Sequence, residues 1–120
     1  MSNLWIIILA VALIAIRIMR RFSAGTVSAA DESAVREALS RGATLVDVRT
    51  PEEFAQGHWD GAINIPLDDV PARLDEFGEC DAPVVLYCRT GRRSRLAAAT
   101  LGQHGFNNVI NAGGLEREIR

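Results

Sequence analysis

The 120-residue chain has no lysine: all thirteen of its basic residues are arginine. It has only two cysteines, two histidines, one tyrosine and four prolines. These scarcities exclude several classes of protein. Cys80 and Cys88 are too few for a disulfide framework and form no Cys-x-x-Cys pair. His58 and His104 are far apart and lack ligand spacing, so no metal site is expected. No Gly-rich phosphate loop, internal repeat or low-complexity tract is present, and nothing in the pattern calls for a cofactor. Basic charge is not in excess either. Residues 22–120 hold ten arginines against fifteen Asp and Glu, which argues against a nucleic-acid surface.

Apolar residues are concentrated at the start. Leu4 to Ile16 is an unbroken apolar run, followed by Arg17, Ile18, Met19, Arg20 and Arg21. Thirteen helical residues reach about 20 Å, short of a hydrocarbon core of roughly 30 Å. If Arg17 snorkels toward the interface, Ile18 and Met19 extend the stretch to a short span over residues 4–19. A secretory signal would place charge before the run and a cleavage site soon after it. Met1-Ser2-Asn3 carries no charge, and Ser28-Ala29-Ala30 lies well beyond the arginines. A run apolar on every face is also a poor core helix. The expectation is one transmembrane helix, with residues 1–21 as anchor and basic flank and residues 22–120 as a single domain. The positive-inside rule places that domain on the cytoplasmic side.

Beyond the anchor, strand and helix signals alternate. Thr26-Val27 reads as a short strand. Glu32 to Leu39 has helical spacing and ends at Arg41-Gly42. Thr44–Val48 is a mostly apolar strand. Thr50-Pro51-Glu52-Glu53 is a helix start in which Thr50 caps, Pro51 opens and Glu53 completes a capping box. Ala62–Ile65 reads as a strand, Asp68 or Asp69 as the cap of a helix through Leu74 and Phe77, and Val84–Tyr87 as a buried strand. A helix over Arg92–His104 follows, then a strand at Asn108–Asn111 and a turn at Gly113-Gly114 into a terminal helix. This alternation predicts an α/β fold: a parallel sheet with helices on both faces. Ligands of such sheets sit at the carboxyl ends of the strands.

Cys88 ends the buried strand there. The loop after it, Arg89-Thr90-Gly91-Arg92-Arg93, carries one glycine and three arginines before a run of helix formers. Backbone N–H groups of a strand–loop–helix turn converge with a helix N-terminus on one point. A thiolate at that point is stabilised by the dipole and by guanidinium groups, and the thiolate is the nucleophilic form. A cysteine ending a buried strand also serves as a small core hydrophobe. The self-repelling arginines weigh toward bound anion and reactive sulfur.

Three ordered motifs carry a family resemblance. The Cys88–Arg93 loop before its helix resembles the Cys-Arg-x-Gly-x-Arg active-site loop of rhodanese-like sulfurtransferases. Leu45–Phe54 and Gly57–Pro66 resemble the family's signature around Asp-Val-Arg and Gly-His-Ile-x-Gly-Ala-x-Asn-Ile-Pro, with Trp59 at the Ile position. Gly105-Phe106 and Gly113-Gly114 complete the match, which runs from about Ala24 to Leu115. Glu118 stands where the family usually has Trp, which leaves the terminal helix's packing open.

The resemblance implies a rhodanese-like fold and a sulfurtransferase. Cys88 would take a sulfane sulfur from a small anionic donor such as thiosulfate. It would then pass that sulfur to cyanide, a thiol or a protein acceptor. It implies donor binding and charge stabilisation for Arg89 and Arg93, persulfide cradling by the backbone from Arg89 through Thr90, Gly91 and Arg92 to Arg93, and strand-end support from Asp47 and Arg49. His58 is expected to be structural and Cys80 a bystander. Cys88 to Arg93 is a Cys-x4-Arg loop, one residue shorter than the Cys-x5-Arg loop of phosphatases with a related fold, which favours sulfur over phosphate. Two alternatives remain: a persulfide carrier for a protein partner, and a non-catalytic membrane-anchored binding module.

Overall fold

The computed structural model describes residues 3–23 and 29–115, with residues 16–23 described by their backbone alone. The N-terminal segment forms helix α1, Leu4–Ser23. Its apolar side chains from Leu4 to Ile14 are exposed. The expected full span is not met: among the described residues, no helix is long and apolar enough to cross a membrane. Arg17, Arg20 and Arg21 fall within α1 and confine its unbroken apolar part to Leu4–Ile16.

Among the described residues the domain is built on four strands, β1 (Thr44–Asp47), β2 (Ile63–Asn64), β3 (Val84–Cys88) and β4 (Val109–Gly114). They pair in the order β2-β1-β3-β4, all parallel. Helix α2 (Glu32–Ser40) begins at Asp31, whose side chain accepts the Ala34 N–H at 2.9 Å. Helix α3 (Pro51–Ala55) starts with the predicted capping box between Thr50 and Glu53. Helix α4 (Arg92–Gln103) follows β3.

The side-chain alternation of β3 decides what each face of the sheet buries. Val85 and Tyr87 face α2 and pack with Val35, Ala38, Leu45, Trp59 and Ala112. Val84, Leu86 and Cys88 face the other way, into a cluster with Val46, Val48, Ala97, Leu101, Phe77 and Phe106. Helices therefore cover both faces, and Cys88 ends its strand on the side of α4.

Three expected elements take another form. The helix expected up to Phe77 is two short 3-10 turns, Leu67–Ala72 and Leu74–Phe77. Pro71 lies inside the first, no side chain caps either, and Arg73 between them leaves helical geometry at φ −125°. The strand at Ala62–Ile65 shrinks to two residues. Gly113-Gly114 does not turn away from the sheet. It extends β4, pairing with Tyr87 and Cys88 after a register shift at Leu86/Tyr87. Thr26-Val27 and the terminal helix after Gly114 lie outside the described residues.

Candidate active site

The site grows from the carboxyl end of β3. Cys88 is fully buried, and its Sγ accepts the Gly91 N–H at 2.9 Å. Gly91 has φ +92°, a conformation that L side chains avoid. A Cβ on Gly91 would also lie 3.3 Å from the Gly113 Cα. Burial is the largest single influence on the thiol and opposes its ionisation. The Ser94 hydroxyl and the N–H groups of Ser94, Thr90 and Gly91 act the other way and together outweigh it, so the pKa falls below the ordinary value. The residue at the end of the strand is thus held closer to its nucleophilic form.

Behind the sulfur is a small buried polar group. Ser94 and Asn111 are both buried. Ser94 Oγ lies 3.5 Å from Cys88 Sγ and 2.7 Å from Asn111 Oδ1. Asn111 Oδ1 also accepts the Gly113 N–H at 3.0 Å. The sequence signal was slight: a serine in the first turn of a helix and an asparagine in a strand, joined only by register.

The arginines are not equivalent. Arg93 forms two hydrogen bonds to Glu53, at 2.6 and 2.9 Å, which tie α4 to α3. Arg49 is buried and grips Asp47 through Nε, at 3.0 Å to either carboxylate oxygen, and through a terminal nitrogen at 2.7 Å. It also donates to the Gly57 carbonyl at 2.7 Å. Asp47 and Arg49 thus form a buried ion pair at the start of the loop after β1. Arg89, Arg92 and the Thr90 side chain are exposed, and the guanidinium of Arg89 has no hydrogen-bonding or ionic partner among the described residues. Arg89 is thus exposed at the loop, whereas Arg93 is engaged by Glu53.

Arg89 lines an open cavity of about 430 Å³ with Arg49, Glu53, Gln56, Gly57 and Leu115. Its carbonyl accepts the Leu115 N–H at 3.2 Å, and the Leu115 carbonyl accepts Trp59 Nε1–H at 2.9 Å. Trp59 stacks on Tyr87 with ring centroids 4.0 Å apart, and its backbone N–H donates to the Tyr87 hydroxyl. Cys loop, β4 and the Gly57–Pro66 segment therefore form one unit. His58 stacks on Phe54, and its Nδ1 lies 2.9 Å from the Phe54 carbonyl, a structural role. Cys80 is exposed and precedes β3, beside Gly105, whereas Cys88 closes that strand. Both are free thiols.

The profile of the Rhodanese-like domain family matches residues 31–117. The chain belongs to that family. It is 46% identical over 70 residues to a sulfurtransferase of Allochromatium vinosum, covering 58% of this chain and 64% of that one. Over 72 residues it is 43% identical to the thiosulfate sulfurtransferase PspE of Escherichia coli, covering 59% and 69%. A solved structure described as rhodanese with anions from E. coli superimposes with a TM-score of 0.59 at 41% identity, covering 62% of this chain and 88% of that one. Those similarities account for the parallel sheet and for the three sequence motifs.

Proposed function

We propose that the protein is a sulfurtransferase that carries sulfur on Cys88. The Cys88 thiolate attacks the sulfane sulfur of a donor such as thiosulfate, forming an S–S bond as sulfite leaves. A second nucleophile then attacks the outer sulfur and regenerates the thiolate; with cyanide the product is thiocyanate. The two half-reactions give ping-pong kinetics. The observation that carries this reading is the buried sulfur at the end of β3, facing the Gly91 N–H in a loop rich in N–H donors. Arg89 takes the donor's anionic end at the cavity mouth. Thr90, Gly91 and Arg92 supply backbone to the cradle. Arg93 holds the loop closed through Glu53, and Asp47 with Arg49 fixes the opposite wall. Thiocyanate formation from thiosulfate and cyanide by the wild type, abolished in Cys88→Ser, is the expected result. Undiminished activity in Cys88→Ser contradicts it.

The exposed apolar side chains of α1 support a second part of the proposal: the helix seats these side chains in a membrane, with the domain on the cytoplasmic side. Sedimentation of full-length protein with membranes, resisting high salt, is expected. Recovery in the soluble fraction contradicts it.

A further inference from the structure

The Ser94 hydroxyl has one hydrogen and three neighbours able to accept it: Asn111 Oδ1 at 2.7 Å, the Gly91 carbonyl at 3.1 Å and Cys88 Sγ at 3.5 Å. Each of the two oxygens has another donor. Asn111 Oδ1 keeps the Gly113 N–H at 3.0 Å. The Gly91 carbonyl keeps the Arg95 N–H at 3.1 Å. Turning the hydroxyl toward sulfur therefore leaves no buried acceptor unpaired, which is the usual cost of redirecting a buried hydrogen bond. Across the 3.5 Å between Cys88 Sγ and Ser94 Oγ either atom can donate.

We propose that Ser94 is a positioning residue for the Cys88 nucleophile: its hydroxyl donates to Asn111 while Cys88 is a thiol and turns to the sulfur when Cys88 ionises. Asn111 is the resting acceptor, kept satisfied by Gly113 in either state. No proton leaves the pair, so the turn needs no base beyond the one that deprotonates the thiol.

The charged and titratable groups around this loop come from each neighbouring element: Arg93 of α4, Glu53 of α3, the Asp47–Arg49 pair after β1, Tyr87 of β3, and Arg89 in the loop itself. Asp47 with Arg49 and Glu53 with Arg93 are opposite-charge pairs. The donors favouring the thiolate most are uncharged.

This inference rests on the proposed role of Cys88, but its test does not depend on sulfur transfer. The rate of iodoacetamide alkylation of Cys88 is followed against pH in full-length protein carrying Cys80→Ser, which removes the exposed thiol. Ser94→Ala is expected to raise the midpoint by about one unit, while Ser94→Thr, which keeps the hydroxyl, stays near wild type. Asn111→Ala removes the competing acceptor and leaves the midpoint at or below wild type. An unmoved midpoint in Ser94→Ala overturns the inference. So does a rise in Asn111→Ala equal to that in Ser94→Ala, the mark of a merely structural pair. Should Asn111→Ala fail to fold, the two Ser94 variants decide alone. Sulfur uptake by the wild type with no shift in Ser94→Ala rejects this inference and spares the proposed function. The reverse pattern rejects the function and spares the pair.

Discussion

Arg93, five residues past Cys88, is joined by two hydrogen bonds to Glu53, the third residue of a short helix forty positions earlier. One carboxylate thus accepts the Thr50 N–H at the start of α3 and the Arg93 guanidinium at the end of the Cys loop. The Arg93 guanidinium, followed by the Thr50 contacts, holds the Glu53 pKa down to about 2.

That depression has a definite sign in pH. An unfolded Glu titrates at about 4.3, so the pair's stabilisation is complete above that value and is lost as pH falls toward about 2. Glu53→Gln should lower Tm at pH 7 by about 4–8 °C, and the gap from wild type should close between pH 4 and 2. Thermal melts across that range test it; a gap independent of pH contradicts the ionic role.

Arg89 and Arg93 should separate kinetically. Arg89→Ala is expected to raise KM for thiosulfate about tenfold with a smaller change in kcat, because its guanidinium lines the cavity and has no partner among the described residues. Arg93→Ala should instead lower Tm and kcat together by releasing the loop from Glu53. Steady-state kinetics with melting curves distinguish the two, and equal KM effects would contradict the assignment.

Two glycines give opposite expectations. A Cβ on Gly114 would sit 2.6 Å from the Arg89 carbonyl oxygen, backbone that cannot swing aside. Gly114→Ala should cost about 1–3 kcal/mol and disturb the Cys loop. Gly102, inside α4, has no atom within 4 Å of such a Cβ. Gly102→Ala should stabilise by about 0.5–1 kcal/mol. Denaturant titration reads both.

Those glycines also mark where the sequence stopped being legible. Val84–Cys88, the capping box at Thr50–Glu53 and α4 were readable because each is written locally, in apolar runs, a cap spacing and helix formers. The fold class followed from their alternation. Gly113-Gly114 looked like a turn because its constraint, the approach of the Arg89 backbone, comes from a distant segment. Glu53 reads in the sequence only as a cap, since its second partner lies forty residues away. Ser94 and Asn111 meet through the register of β4 with β3, which no periodicity encodes. The span at residues 4–19 was expected from an apolar run that the helix's own arginines interrupt.

Sulfur carried on Cys88 would show as a change in the mass of the intact protein. Full-length protein is incubated with thiosulfate, desalted and weighed, beside Cys88→Ser. A gain of ~32 Da, one sulfur atom, is expected, lost on adding cyanide and absent from the variant. An unchanged wild-type mass, or the same gain in Cys88→Ser, would contradict it.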